Sequence, residues 1–316
     1  MSKATRQAFG ESLAKLGEQY PEIVVLDADL SKSTKSEIFA KKFPDRFFEM
    51  GIAEANMIGT AAGLSFVGKI PFLCSFGCFL TGRYDTIRLS VSYSNANVRL
   101  IGTHAGVGIG DDGHSQMGLE DIALMRALPQ MGVFQPMDAM ETELLMEYLV
   151  KDWKGPAYVR LTRQNLPDLY PAQTPFRPGK LLEVLPSSTP PEVIAIASGA
   201  GVGEAVTAAK LLAAQGVSMS VWNAHSLKPF DDEMTVELAQ KARLIITVED
   251  HSVIGGLGSC VADALATSFK AQAKLVRFGV QDLFGQSGEP AELYDLYGIS
   301  GAAIARRVTE VLPQLK

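Results

Sequence analysis

The sequence predicts an α/β protein of two consecutive three-layer α/β/α domains with mostly parallel sheets. Three observations carry that reading. Continuous apolar runs such as IVVLDA at 23–28 and EVIAIAS at 192–198 have the pattern of strands buried on both faces of a parallel sheet. They alternate with stretches of helical period, as strands joined by right-handed helical crossovers do. A proline-dense segment beginning at 164, QNLPDLYPAQTPFRPG followed by PSSTPP, has neither hydrophobic period. It divides the chain into a domain over 1–165, a linker over 166–190 and a domain over 191–316. Two domains also suit a length of 316 residues.

In chain order, 3–17 reads as a helix with Phe9, Leu13 and Leu16 on one face. The strand IVVLDA follows, then polar DLSKSTKS and a short helix to Lys42. An aromatic strand through Phe47 and Phe48 reaches Gly51, and a small-residue-rich helix begins near Glu54. Strand IPFLC at 70–74, a helix over 79–92 and strand NVRLIGT at 97–103 come next. Helix LEDIALMRAL, strand GVFQP, helix 138–151 and strand AYVRL complete the first unit. The second unit has strands at 192–198, 217–223, 242–250 and 273–279, with helices near 202–215, 231–240 and 257–268.

Net charge is −6, which argues against nucleic acid and anionic membrane surfaces as partners. The closest approach to a membrane span, 52–80, is interrupted by Glu54, Asn56 and Lys69. MSKATRQAFGESL lacks a signal-peptide pattern, and Cys74, Cys78 and Cys260 have no paired spacing. A reduced, cytoplasmic protein is expected.

A nucleotide site is the first expectation for this fold, but neither GxGxxG nor GxxxxGK[ST] is present. GAGVGE at 199–204 suits a tight turn, or an anion at a helix N-terminus. Glu54 places one carboxylate where the sheet hands over to a helix, the edge at which ligands bind in such folds. The helix dipole alone also favours an acid there, so both readings stand. Phe76 and Phe79, three apart, suit either one aromatic wall or core packing. The stretch 104–117 reads as a long strand-end loop with no apolar anchor. It carries His104, Asp111, Asp112, His114, Ser115, Gln116 and four glycines. Its spacing matches no recognised metal-ligand set, and a hydrogen-bonding loop facing substrate is the better reading. Arg163 suits a phosphate or an interdomain ion pair. HSLKPFD at 225–231 and EDHSVIGGLGS at 249–259 suit contact with the first domain or a partner as well as chemistry.

These segments together resemble the second half of a transketolase. ATRQAFGE at 4–11, DLSKS at 29–33, FFEMGIAEANM at 47–57 and PFLCSFGCF at 71–79 carry the likeness. So do THAGVGIGDDGHSQMGLED at 103–121, VRLTRQNLP at 159–167 and GVQDLFGQSG at 279–288. The resemblance implies thiamine diphosphate as cofactor, with Glu54 on the aminopyrimidine ring nitrogen and Phe76 and Phe79 against that ring. It implies Asp29 close to the cofactor at the subunit boundary, and His104 and Asp112 on substrate hydroxyls. Arg6, Ser33 and Arg163 match a substrate-phosphate cluster. Gln116 stands where some members have a phosphate-contacting histidine and others glutamine, and His114 where many have proline.

One departure shapes the expectation. No GDG…N motif, which grips the diphosphate through a metal in that family, is present. The chain therefore resembles the smaller subunit of a split transketolase. A separate N-terminal subunit would hold the diphosphate with Mg2+ or Ca2+, and paired copies of this chain would form the core of an α2β2 assembly. The implied reaction is transfer of a two-carbon ketol unit between ketose and aldose phosphates. The rival is the beta subunit of a 2-oxo acid dehydrogenase decarboxylase, which has no evident need for Arg6, Ser33, His104 and Arg163 together. A ketol transferase for a sulfo-sugar or another unusual sugar phosphate differs by few substitutions. Deoxyxylulose-phosphate synthase is disfavoured by Gly82, where that family has arginine. A regulatory protein derived from the fold would have no need to keep Glu54.

Overall fold

The protein is described by a computed structural model that covers residues 2–169, 176–270 and 273–315. The centre of the predicted linker, 170–175, lies outside the described residues. Strands β1 (Lys3–Ala4), β2 (Ile23–Asp27), β3 (Phe47–Glu49), β4 (Ile70–Phe76), β5 (Arg99–Thr103), β6 (Gly132–Phe134), β7 (Ala157–Arg160) and β8 (Asn165–Leu166) come first. They are followed by β9 (Leu182–Leu185), β10 (Val193–Ala197), β11 (Met219–Asn223), β12 (Ser226–Lys228), β13 (Leu244–Ser252) and β14 (Lys274–Val280).

The first sheet has the order β12-β6-β7-β5-β4-β2-β3 and is parallel except for β12, which pairs antiparallel with β6. The second has the order β14-β13-β10-β11-β9, parallel except for β9. Every residue of β2, β5, β7 and β10 is buried, as expected for strands covered by helices on both faces. Helix Thr5–Gln19 buries Phe9 and Leu13 in the cluster that also holds Leu145 and Leu149 of helix Ala139–Lys151. Each such side chain contributes roughly 1.5–3 kcal/mol by leaving water.

Four departures from the sequence reading have physical causes. The expected helix over 79–92 is broken into Gly77–Thr81, Tyr84–Thr86 and a π-helical stretch Ile87–Tyr93. Gly82, a weak helix former, marks the break. The linker is structured where it is described at its C-terminal end, because β9 adds to the edge of the second sheet. The two units are interleaved, since β12 belongs to the later segment yet extends the first sheet. Finally, the 104–117 stretch does have apolar anchors. Val107, Ile109 and Met117 are buried in the cluster that also contains Val248, Val280 and Tyr294.

Gly102 of β5 faces Tyr158 of β7, and a Cβ there would strike the phenol oxygen. The space it leaves admits Tyr158, whose hydroxyl donates to Asp121 Oδ2 at 2.7 Å. Arg160 Nε donates to the same oxygen at 2.8 Å, forming a fully buried pair beneath the loop.

Candidate functional site

The side chains singled out in the sequence sit at one edge of the first sheet. Strand β2 leads into the Asp29–Ser33 turn, β3 into Glu54, β4 into Phe76 and Phe79, β5 into His104 and β7 into Arg163. This carboxyl edge is where ligands bind in open α/β sheets. Arg6 reaches it from the first turn of helix Thr5–Gln19.

Arg6, Ser33 and His104 meet directly. Arg6 Nη1 donates to the Ser33 carbonyl at 2.7 Å and stands 2.9 Å from His104 Nε2. Ser33 thus contributes its backbone oxygen to this contact. His104 Nδ1 lies 2.8 Å from Thr103 Oγ1. A guanidinium only donates, so the network assigns the imidazole proton to Nδ1 and leaves the lone pair on Nε2. Burial lowers the His104 pKa to about 3, with Arg6, Arg163 and Lys35 adding to the effect. The ring is therefore neutral at ordinary pH. It stacks on Phe76 at 3.9 Å between centroids, and Phe76 stacks on Phe79 at 5.4 Å.

Arg163 Nη1 donates to the Ile109 carbonyl at 2.5 Å. Arg6 and Arg163 line one cleft of about 410 Å³ with Asp111, Gln164 and Glu289. Burial lowers the Arg6 pKa, the Arg163 charge lowers it further, and Asp112 opposes both. Asp112 is exposed and Gln116 half-buried. Neither side chain hydrogen-bonds to a described residue.

Glu54 is the first residue of helix Glu54–Phe66 and only 6 % exposed. No hydrogen bond among the described residues reaches its carboxylate. Its oxygens are free to accept from a ligand or partner. Glu54 and the stacked Phe76–Phe79 pair both lie at this strand-end edge. Asp29 is exposed with φ +64°, and its N–H donates to Glu49 Oε1 at 2.7 Å. Among the described residues no group of three metal-ligating side chains comes together.

Sequence reasoning missed Asp27. It reads as the end of an apolar strand, yet its buried carboxylate organises the next turn. Oδ1 accepts the Leu30 N–H at 2.6 Å, and Oδ2 accepts the Thr34 and Ser36 hydroxyls at 2.8 Å each. Burial raises its pKa to about 6 despite these donors. The signal that could have found it is a carboxylate closing an apolar run.

Known proteins align over the same span. The family profile for the transketolase pyrimidine binding domain matches residues 1–168, and that for the transketolase C-terminal domain matches 183–304. A protein of Methanocaldococcus jannaschii described as a transketolase C-terminal section is 42% identical, with 98% of this chain and 96% of that protein covered. Human transketolase is 38% identical, with 96% of this chain but only 48% of that protein covered. The chain therefore spans about half the length of such relatives. A 6-deoxy-6-sulfo-D-fructose transketolase subunit of a Clostridium species is 36% identical, with 97% and 94% covered. A solved structure described as a split gene transketolase, inactive beta4 tetramer, superposes with a TM-score of 0.89 at 43% identity over 99% of both chains.

Proposed function

The chain belongs to the transketolase family, and on that premise we propose that it is one subunit of a split transketolase. It transfers a two-carbon ketol unit between ketose and aldose phosphates, using thiamine diphosphate shared with a separate diphosphate-binding subunit. The observation that carries this reading is the convergence of Arg6, His104 and Arg163 on one strand-end edge, in a chain matching about half of human transketolase.

Thiamine diphosphate, when bound, supplies a nucleophilic carbon and an electron sink for cleavage of the ketose bond between C2 and C3. This chain's own residues supply one side of the site. Glu54 hydrogen-bonds the aminopyrimidine ring nitrogen and holds the proton there. Phe79, backed by the buried Phe76, offers the ring an apolar face, and Asp29 is placed at the rim of the cofactor site. Neutral His104 offers its Nε2 lone pair to a sugar hydroxyl, replacing the Arg6 contact. Asp112 receives a hydroxyl further out. Arg6 and Arg163 hold the terminal phosphate by charge-assisted bonds, and Ser33 and Gln116 are read as further phosphate contacts. That anchor positions the reacting carbonyl.

Mg2+ or Ca2+ is assigned to the partner subunit, and the protein to the cytoplasm. No helix among the described residues is long and apolar enough to cross a membrane. Self-association into an α2β2 core is supported by the outer face of helix Glu54–Phe66. A Cβ built at Gly59 or Gly63 meets nothing within 4 Å, and Ile52, Phe66 and Val67 are exposed beside them. The Clostridium relative supports a second reading, because an arginine pair that grips a phosphate also suits a sulfonate.

Mixing this chain with a diphosphate-binding subunit carrying GDG…N tests both readings. Ketol transfer is expected from the mixture and from neither part alone. A ketose phosphate and a sulfo-ketose offered side by side decide the substrate. Robust turnover by this chain alone, or decarboxylation of 2-oxo acids in place of ketol transfer, would sink the proposal.

A further inference from the structure

The second sheet reaches into this edge through one buried carboxylate. Asp250, in β13, is 2 % exposed. Its Oδ1 accepts the Val107 N–H at 2.7 Å, while Oδ2 accepts the Gly108 N–H at 3.0 Å and the Tyr294 hydroxyl at 2.9 Å. Tyr294 comes from helix Pro290–Leu296, and its oxygen accepts from Gln164 Nε2 at 2.7 Å. Gly106 has φ +90°, and a Cβ there would strike the Asp250 carboxylate. Only glycine permits this approach. The next carbonyl along, Ile109 O, holds Arg163. The far end of the loop is tied to the same strand, because Arg160 Nη2 donates to Asp250 O at 2.8 Å and Gly118 O at 3.0 Å.

We propose that Asp250, assisted by Tyr294, is a positioning residue for the substrate-reading loop. It fixes the backbone at Val107 and Gly108 and thereby sets where Arg163 and His104 stand. The inference rests on the reading of those two residues as substrate-facing. The chemistry is specific. Two successive buried N–H groups point at one carboxylate, which takes one on each oxygen. An amide of the same shape would turn its own NH2 toward one of these donors, leaving both unpaired. The role explains why a domain with no candidate catalytic side chain packs against the loop.

Two variants of the full chain, Asp250→Asn and Tyr294→Phe, test it. Amide hydrogen exchange over 107–110 is expected to quicken roughly tenfold or more in Asp250→Asn and less in Tyr294→Phe, with β4 and β10 unchanged. In the complex with the diphosphate-binding subunit, KM for a ketose phosphate is expected to rise roughly tenfold with kcat changed by less than about twofold. A purely structural defect would lower the amount of active enzyme, hence apparent kcat, and leave KM alone. Should Asp250→Asn fail to fold, Tyr294→Phe decides. Unchanged exchange over 107–110, or a KM for the ketose phosphate left unchanged in the folded variants, would overturn the proposal. If the wild-type complex transfers no ketol, the functional reading falls and the exchange measurement still decides the clamp.

Discussion

Replacing Arg163 with alanine removes two things that the structure keeps separate. One is the bond from Nη1 to the Ile109 carbonyl, which orders the loop for every substrate. The other is the remaining face of the guanidinium, which lines the cleft shared with Arg6 and is assigned to substrate phosphate. A hydrogen bond to a charged group contributes about 1.5–3 kcal/mol. Arg163 is only half-buried, so solvent screening favours the lower end, about 1.5–2 kcal/mol. That corresponds to a KM increase of roughly ten- to thirtyfold for a phosphorylated ketose. The lost Ile109 contact adds a smaller penalty common to phosphorylated and unphosphorylated ketoses. The assay is therefore the ratio of the two KM values in the reconstituted complex, at low and high salt. The wild-type ratio of phosphorylated to unphosphorylated KM is expected to rise toward that of the variant as salt screens the contact. Arg163→Lys keeps the charge but cannot serve carbonyl and phosphate at once, so an intermediate ratio is expected. Equal KM effects on both ketoses would refute the phosphate assignment.

Glu54→Gln is expected to slow hydrogen–deuterium exchange at C2 of thiamine diphosphate in the complex by roughly a hundredfold or more, with thermal unfolding unchanged. An unaltered exchange rate would remove the activating role. Asp27 yields a pH signature. Its folded pKa of about 6 lies above the ordinary 3.8, so between those values the folded state holds the proton more tightly. Its contribution to stability is thus greatest at low pH and is lost as pH rises through 6. The stability of Asp27→Asn relative to wild type should therefore climb between about pH 4 and 6, and a flat difference by urea unfolding would contradict the burial argument.

Much of the edge was legible because it is local. Glu54 follows an aromatic strand within a few residues, and His104 follows an apolar one directly, so strand ends alone place them. Legibility failed where pairing is distant or periodicity is masked. Val107 and Ile109 alternate with glycines in GVGIG, which matches neither a strand nor a helix, and their burial depends on Val280 and Tyr294 far along the chain. The pairing of Ser226–Lys228 with β6 crosses between domains, and no local pattern encodes it. Asp27 was overlooked for the opposite reason. The apolar run that identifies β2 conceals the polar residue that ends it.

The second sheet shows why its chemistry is silent. Its order reverses between β10 and β13, and a ligand crevice is expected outside the carboxyl ends of strands at such a point. Here GAGVGE follows β10, as a phosphate loop would. The opening is filled from the first domain, however. Gln135, which follows β6, packs so closely on Gly199 that a Cβ there would strike its amide, and Ser198 is fully buried. On the β13 side, Glu249 accepts the N–H groups of Leu257 and Gly258 at 2.7 and 2.8 Å. The polar EDHSVIGGLGS run thus caps a helix with one carboxylate and holds the 104–117 loop with the next. The strand ends that bind ligands in other doubly wound sheets bind the first domain in this one. Glu54, the phenylalanine pair and the two arginines gather instead at the first sheet's edge, where the chemistry is proposed. A substitution in the second domain should therefore be felt first through that loop.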